Sequence, residues 1–222
     1  MSTTYLVGEQ TKQKIFKVSR LLFYKQGYDE TTYDDISNLA QINRALIPYY
    51  FKNKKNLALL VYHRFIEDYY AICDKALEDI EISAECKTAF YMFGFYHLLK
   101  DRHLAKFLIQ FHSDMDYDER MVISKKRLFD ALNLNNMKIS KSEYDILSQM
   151  DYGIEKELVR IVFYNENSDI DQLASIELHL LLSYFGYTKE EIEKIISETL
   201  THLEKKKIIL KERFSLEFDN IL

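Results

Sequence analysis

Along the first quarter of the chain, Ile15, Val18, Ser19, Leu22 and Phe23 fall three and one residues apart, so they share one stripe of a helix. Lys12, Lys14, Lys17, Arg20 and Lys25 lie mainly outside that stripe. Gly27 is a stop for this helix, because it has no Cβ to oppose a positive φ. Thr32 and Asp35 have the spacing of a capping box and open a second helix. That helix is short, since Leu39 and Ala40 run into Gln41-Ile42-Asn43, where Asn43 is suited to cap a third. Two short helices around a tight corner make a helix-turn-helix. Ile36, Leu39, Ile42, Leu46 and Ile47 are expected to face its small core, leaving Arg44, Ala45, Pro48 and Tyr49 pointing away.

The rest of the chain keeps the helical period. Asn53 caps a long fourth helix in which Leu57, Leu60, Val61, Phe65, Tyr69 and Ile72 repeat at three and four, running to about Ile80 as a rigid rod from head to body. Ser83 opens the next, where residues 90–96 are apolar around the whole circumference and must be buried on all sides. Further helices are expected over 101–115, 118–133, 140–165 with Gly153 as a bend, 169–187 and 189–214. The fold class is all-α, with a small head over 1–52 and a larger helical body over 53–222.

Composition agrees. Average usage would give about 16 glycines and about 11 prolines, and the chain has 5 and 1, too few for the many turns of a β-sandwich or doubly wound sheet. Charge is uneven: residues 1–57 carry nine Lys/Arg against five Asp/Glu, whereas the remainder is acidic, for a net charge of -5. Such a head is fit to meet an anion. Two cysteines, Cys73 and Cys86, are too few for a disulfide framework and suggest a reducing compartment. The longest apolar run, 89–99, contains His97 and is shorter than the ~18 residues of a membrane span, so a cytoplasmic protein with no membrane partner is expected.

Residues 11–57 resemble the DNA-binding domain of the TetR family of transcriptional regulators. The likeness is carried by Leu22-Phe23, Gly27-Tyr28, Thr31-Thr32, Asp35-Ile36 with Ala40, and Tyr49-Tyr50-Phe51 followed by Lys54 and Leu57. It implies an N-terminal three-helix DNA-binding domain and a helical domain for effector binding and dimerisation. The implied activity is that of a repressor, a homodimer on a palindromic double-stranded DNA operator, released by a small apolar or aromatic effector. Residue chemistry suggests the contacts. The planar fork of Arg44 fits guanine O6 and N7. Tyr49, Tyr50 and Thr32 offer hydroxyls to phosphates, Lys54 adds charge at the start of the fourth helix, and Asn43, Ala45 and Pro48 complete the presented surface. Each has a structural alternative: Tyr50 packing beneath the head, Thr32 acting only as a cap, Arg44 as a solvated charge.

Two positions depart from the family pattern. Gln41 stands where glycine is usual, and a left-handed conformation there costs about 1 to 2 kcal/mol. Pro48 would be the fifth residue of a helix capped by Asn43, past the harmless first turn, so the third helix is expected to be shifted or bent.

In the body, Tyr69, Tyr91, Phe95, Phe107, Phe111 and Tyr144 are candidates for the effector-cavity wall that the resemblance implies, with central packing as the alternative. Leu178, Leu181, Leu182, Phe185, Ile192, Ile196 and Leu203 are candidates for a four-helix dimer interface, with burial inside one chain as the alternative. His97, His103 and His112 have no metal-ligand spacing with each other or with either cysteine, so neither metal nor cofactor is expected. Asp114, Asp116, Asp118 and Glu119 lack the glycine and closing glutamate of a calcium loop and read as a solvated corner. Lys205-Lys206-Lys207 reads as a solvated, helix-ending charge. With no nucleophile motif, phosphate loop or dinucleotide fingerprint, no enzyme is expected. The competing reading is a helical protein-interaction module that keeps the fold without reading DNA.

Overall fold

The computed structural model describes residues 3–114 and 139–219, which form helices α1 (Thr3–Gln26), α2 (Tyr33–Ala40), α3 (Leu46–Phe51), α4 (Lys54–Leu77), α5 (Ala84–Leu98), α6 (Arg102–Asp114), α7 (Lys141–Tyr164), α8 (Ile170–Tyr184) and α9 (Lys189–Lys205). The helix expected over 118–133, and Asp116, Asp118 and Glu119 of the acidic corner, lie outside the described residues. Side chains mark the starts where the sequence placed them. Thr32, Ser140 and Thr188 each complete a capping box, with Asp35, Glu143 and Glu191. Asn53 accepts the Asn56 N–H, Ser83 the Cys86 N–H, and Asp169 the Gln172 N–H. Gly27 follows α1 with φ +95°.

The head behaves at both unusual positions as elementary sterics requires. Gln41 sits at φ 51°, ψ 54°, so the turn keeps its left-handed residue and bears the strain. Its N–H closes onto the carbonyls of Ser37 and Asn38. At the next corner the Leu46 N–H bonds to the Asn43 carbonyl at 3.0 Å and the Ile47 N–H to that of Arg44 at 3.1 Å, a tight three-residue closure. The α-helix proper therefore begins at Leu46 rather than Arg44. Pro48 becomes its third residue, inside the first turn where N–H groups have no helical acceptor. Ile36 and Ile47 are fully buried, but Leu39, expected in the core, is half exposed because Ile36, Ser37 and Ala40 form the inward face of α2.

In the body, α5 is buried on all sides, as its unbroken apolar circumference demands. It packs against α4, α8 and above all α9. α7 runs unbroken through Gly153, so the expected bend is absent; that glycine is exposed with open space where a Cβ would stand.

The largest correction is at the C-terminal end. The helix expected over 189–214 stops at Lys205, and β1 (Ile208–Lys211) and β2 (Ser215–Phe218) form an antiparallel hairpin pairing Ile208 with Phe218 and Leu210 with Leu216. Alternation in Ser-Leu-Glu-Phe and the β-branched Ile208-Ile209 favour strands over another helical turn. Lys207 pairs with Asp219 at 3.1 Å instead of extending a basic helix face. The hairpin tip, Arg213 and Phe214, has positive φ at both residues, and Phe214 is driven fully into the core.

That tip seals the junction between head and body. The Phe214 ring lies 5.3 Å from Tyr24 of α1, 5.8 Å from Phe65 of α4 and 4.9 Å from Phe107 of α6. Arg20 donates to the Phe214 carbonyl at 2.6 Å and to Asp68 at 3.1 Å. The Tyr24 hydroxyl reaches Asp101 at 2.8 Å, and that of Tyr28 reaches Asp114 at 2.5 Å. Burial and these carboxylates push both phenols up in pKa. The fourth helix is thus joined by α6 and the hairpin in holding the head.

Candidate functional site

The outward surface of α2 and α3 carries most of the residues proposed for DNA. Thr32, Asn43, Arg44, Ala45, Pro48 and Tyr49 are all exposed, Tyr49 at 77%. Several already have partners. The Thr32 hydroxyl donates to Asp35 at 2.7 Å and accepts the Asp35 N–H, so its local role is the cap. The Thr32 backbone N–H, donated to the Asp35 carboxyl at 2.9 Å, and then the Thr32 hydroxyl hold that carboxyl below its ordinary pKa. The Asn43 side chain accepts the Ala45 N–H at 2.9 Å and shapes the corner. Arg44 donates to both carboxylate oxygens of Asp34, at 2.9 and 3.0 Å, and lies 6.0 Å from the Tyr33 ring centroid. Asp34 was not foreseen; an acid in the first turn of α2, opposite the first cation of the next corner, was the available signal. The pair is solvent-exposed, a class of contact worth about 0 to 1 kcal/mol, so a guanine edge can compete for Arg44.

Tyr49 and Tyr50 stand edge to face at 5.0 Å. Tyr50 leans back on α1, its hydroxyl 3.4 Å from where a Cβ on Gly8 would be. Lys54, expected to offer its charge outward, instead donates to the Tyr28 carbonyl at 2.9 Å and the Asp29 carbonyl at 3.3 Å, 4.4 Å from the Tyr28 ring centroid. Those carbonyls follow the end of α1 and draw the ammonium inward, so Lys54 braces the turn into α2.

The second candidate site is a cavity of about 70 Å³ between α4, α5, α7 and α8. Tyr69, Tyr91 and Phe95 line it as expected. Phe107 and Phe111 do not: they stack on each other at 5.3 Å and face Phe23 and Tyr28 of the head, because α6 packs against α1. Tyr144, half-buried on α7, also lies outside its lining. Sequence reasoning missed the acids that complete it. Asp151 and Glu155 stand one turn apart on α7, and Glu177 of α8 is 3% exposed and accepts from the Tyr96 hydroxyl. Burial, with Glu155 nearby, pushes the Asp151 carboxyl up to about 7. Burial and then Asp151 push Glu177 well above the ordinary carboxylate range. Glu177, at helical spacing with Ala174, Leu178 and Leu181, was the readable signal.

The residues proposed for a dimer interface are corrected. Leu178, Leu181, Leu182, Ile192, Ile196 and Leu203 are buried within the chain and Phe185 is half-buried, because α5 takes up the inner faces of α8 and α9. The exposed apolar residues of this region are instead Ile176, Leu180 and Tyr184 on α8 and Ile146 and Met150 on α7, each more than half exposed.

Among the described residues, Cys86, Glu198 and His202 bring ligand atoms within 4.8 Å of one another, a grouping across α5 and α9 that sequence spacing did not suggest. The Cys86 sulfur lies 3.4 Å from the Thr199 hydroxyl, and burial pushes its thiol pKa up, which suits a packed thiol better than a thiolate ligand. Among the described residues, no helix is long and apolar enough to cross a membrane.

Comparison with known proteins agrees with this architecture. Residues 15–65 match the family described as bacterial regulatory proteins, tetR family. Over 156 residues, 70% of each chain, the sequence is 26% identical to IcaR of Staphylococcus aureus, the negative transcriptional regulator of the biofilm operon icaADBC. The fold is similar to that of RolR in complex with resorcinol, with TM-score 0.65 and 19% identity over 87% of this chain and 96% of that one. It is also similar to Thermus thermophilus FadR in complex with lauroyl-CoA, with TM-score 0.60 and 15% identity over 77% and 93%. Residues 15–65 are thus a helix-turn-helix head of the TetR family, set on a helical body whose fold is similar to that of RolR.

Proposed function

We propose that the chain is a repressor that binds a palindromic operator as a homodimer and is released by a small effector seated in the α4–α5–α7–α8 cavity. The observation that carries this reading is the pairing of an exposed Arg44–Pro48–Tyr49 surface with an aromatic cavity in the body. The two are joined through contiguous rings. Tyr62 lines the cavity and lies 5.2 Å from Phe111, which lies 6.2 Å from Tyr28 of the head. An effector that shifts α4 against α6 would re-aim the head. Coupling of about 1 to 3 kcal/mol corresponds to roughly 5 to 150-fold in DNA affinity. The likeness to a negative regulator supports repression. Under this reading the chain acts by binding, not catalysis, with residues 1–52 as the reading domain and 53–222 as the sensing and dimerising one.

Dimerisation is supported by the exposed stripe. Ile176, Leu180 and Tyr184 recur every four residues on α8, and Ile146 and Met150 do so on α7. α7 and α8 pack against each other, so the two stripes stand on neighbouring helices. Two such helices from each copy make a four-helix interface, and paired heads then read half-sites about 34 to 36 Å apart.

Selection of bound duplexes from random DNA tests the reading. A palindrome with two half-sites is expected, with binding lost in Arg44→Ala. No enriched sequence would refute operator reading and favour the protein-interaction module.

A further inference from the structure

The cavity has an unusual complement of groups. Its walls are tyrosines and a phenylalanine, and three carboxyl groups, Asp151, Glu155 and Glu177, open onto it. Among the described residues that line it there is no lysine, arginine or histidine. Other charged and titratable groups on the packed helices lie outside the lining. Lys87 of α5 pairs with Asp74 of α4 at 3.0 Å and lies 5.6 Å from the Tyr91 ring centroid, and the Tyr91 hydroxyl donates to the same Asp74, while Glu85 accepts from Tyr187 at 2.5 Å. His112 of α6 lies 6.3 Å from the Tyr152 ring.

We propose that this cavity binds an organic cation, a compact ammonium head set against the rings of Tyr70 and Phe95 with Asp151, Glu155 and Glu177 as its counter-charges. The inference rests on the effector-responsive reading above and names the chemical class of the effector. Two independent features converge on it. Aromatic faces attract cations through the negative face of the ring, and Tyr70 and Phe95 line the cavity. Separately, acids crowded in an apolar site stay neutral or repel one another unless a positive charge joins them. A neutral phenol such as the resorcinol bound by RolR would supply hydrogen bonds but no charge. An acyl-CoA such as that bound by the Thermus FadR brings negative charge to a site that already holds three carboxyl groups.

A permanent cation binds the ionised acids, so binding expels the protons they hold. Affinity should therefore rise with pH through the value of about 7 reached by Asp151. Calorimetry on the full-length protein, with choline and benzyltrimethylammonium as probes and 3,3-dimethylbutan-1-ol as the uncharged isostere of choline, tests the class. The expected result is saturable binding of at least one cation, with choline or its benzyl analogue at least about 10-fold tighter than the isostere, and proton release near neutral pH. Glu177→Gln and Asp151→Asn should each weaken it by about 10-fold or more without lowering thermal stability. A merely structural acid cluster would not move ligand affinity in this way. Failure of both cations to bind, equal binding of the isostere, or indifference to both substitutions would overturn the proposal. Duplex affinity separates the two readings. A cation that binds without changing it upholds this site and defeats the regulatory coupling; release of the duplex by resorcinol with no cation binding does the reverse.

Discussion

At the junction of head and body, Phe23, Phe107, Phe111 and Phe214 pack ring against ring, with tyrosine hydroxyls turned outward to carboxylates at the rim. In the cavity, tyrosines close around the buried Glu177, with the half-buried Asp151 and Glu155 beside it. Both clusters are aromatic and both draw on α4. Phenylalanine supplies area and nothing else, so a cluster of it sets geometry. Tyrosine beside carboxyl groups adds hydrogen bonding and charge to the same aromatic area, as where the Tyr96 hydroxyl donates to Glu177. One cluster holds the head in place, and the other is where the proposed effector would be sensed.

The largest expected effect comes from breaking the first cluster. Phe107→Ala or Phe214→Ala should cost about 3 to 5 kcal/mol in chemical denaturation, since both rings are essentially fully buried. A cost below about 1 kcal/mol would mean that the head is not held by these rings.

The second cluster should respond with the opposite sign. Asp151 has a folded pKa of about 7 against an ordinary 3.8, so the folded chain holds a proton that the unfolded chain releases. Its favourable contribution is complete below about pH 3.8 and is lost as pH rises through about 7. Asp151→Asn should therefore stabilise the protein by about 1 to 2 kcal/mol at pH 8 relative to pH 4. Thermal melts across that range would show it; destabilisation at pH 8 would mean the acid is already neutralised.

A change in neither cluster calibrates the scale. Gln41→Gly removes left-handed strain at an exposed position and should stabilise by about 1 kcal/mol, less than either cluster, with the measurement again a denaturation midpoint. Smallest is Asp34→Asn, which frees Arg44 from an exposed pair. Duplex affinity should rise by about 2- to 5-fold, and a fall would show that Asp34 aims the arginine.

The head was legible because its signals are local. Thr32 with Asp35, Gly27 and Asn53 determine helix ends through contacts within a few residues. Even Pro48 announced the displaced start of α3. The cavity was half legible: Tyr69, Tyr91 and Phe95 were named, but aromatic period alone could not separate them from Phe107 and Phe111, whose partner face is set by α1 and the hairpin far along the chain. The interface residues failed for the same reason. Both faces of α8 are apolar, and periodicity cannot say which one α5 will claim. The hairpin was missed because an amphipathic helix leading into Ile208-Ile209-Leu210 has no glycine or proline to mark its end.

The most direct test of the account is the stoichiometry of the wild-type chain and of Leu180→Glu on the selected duplex, followed by sedimentation during titration. Two wild-type chains should bind each palindrome together, while Leu180→Glu, charged in the middle of the exposed α8 stripe, should sediment as a folded monomer and lose that affinity. One wild-type chain per duplex, or full paired binding by Leu180→Glu, would contradict it.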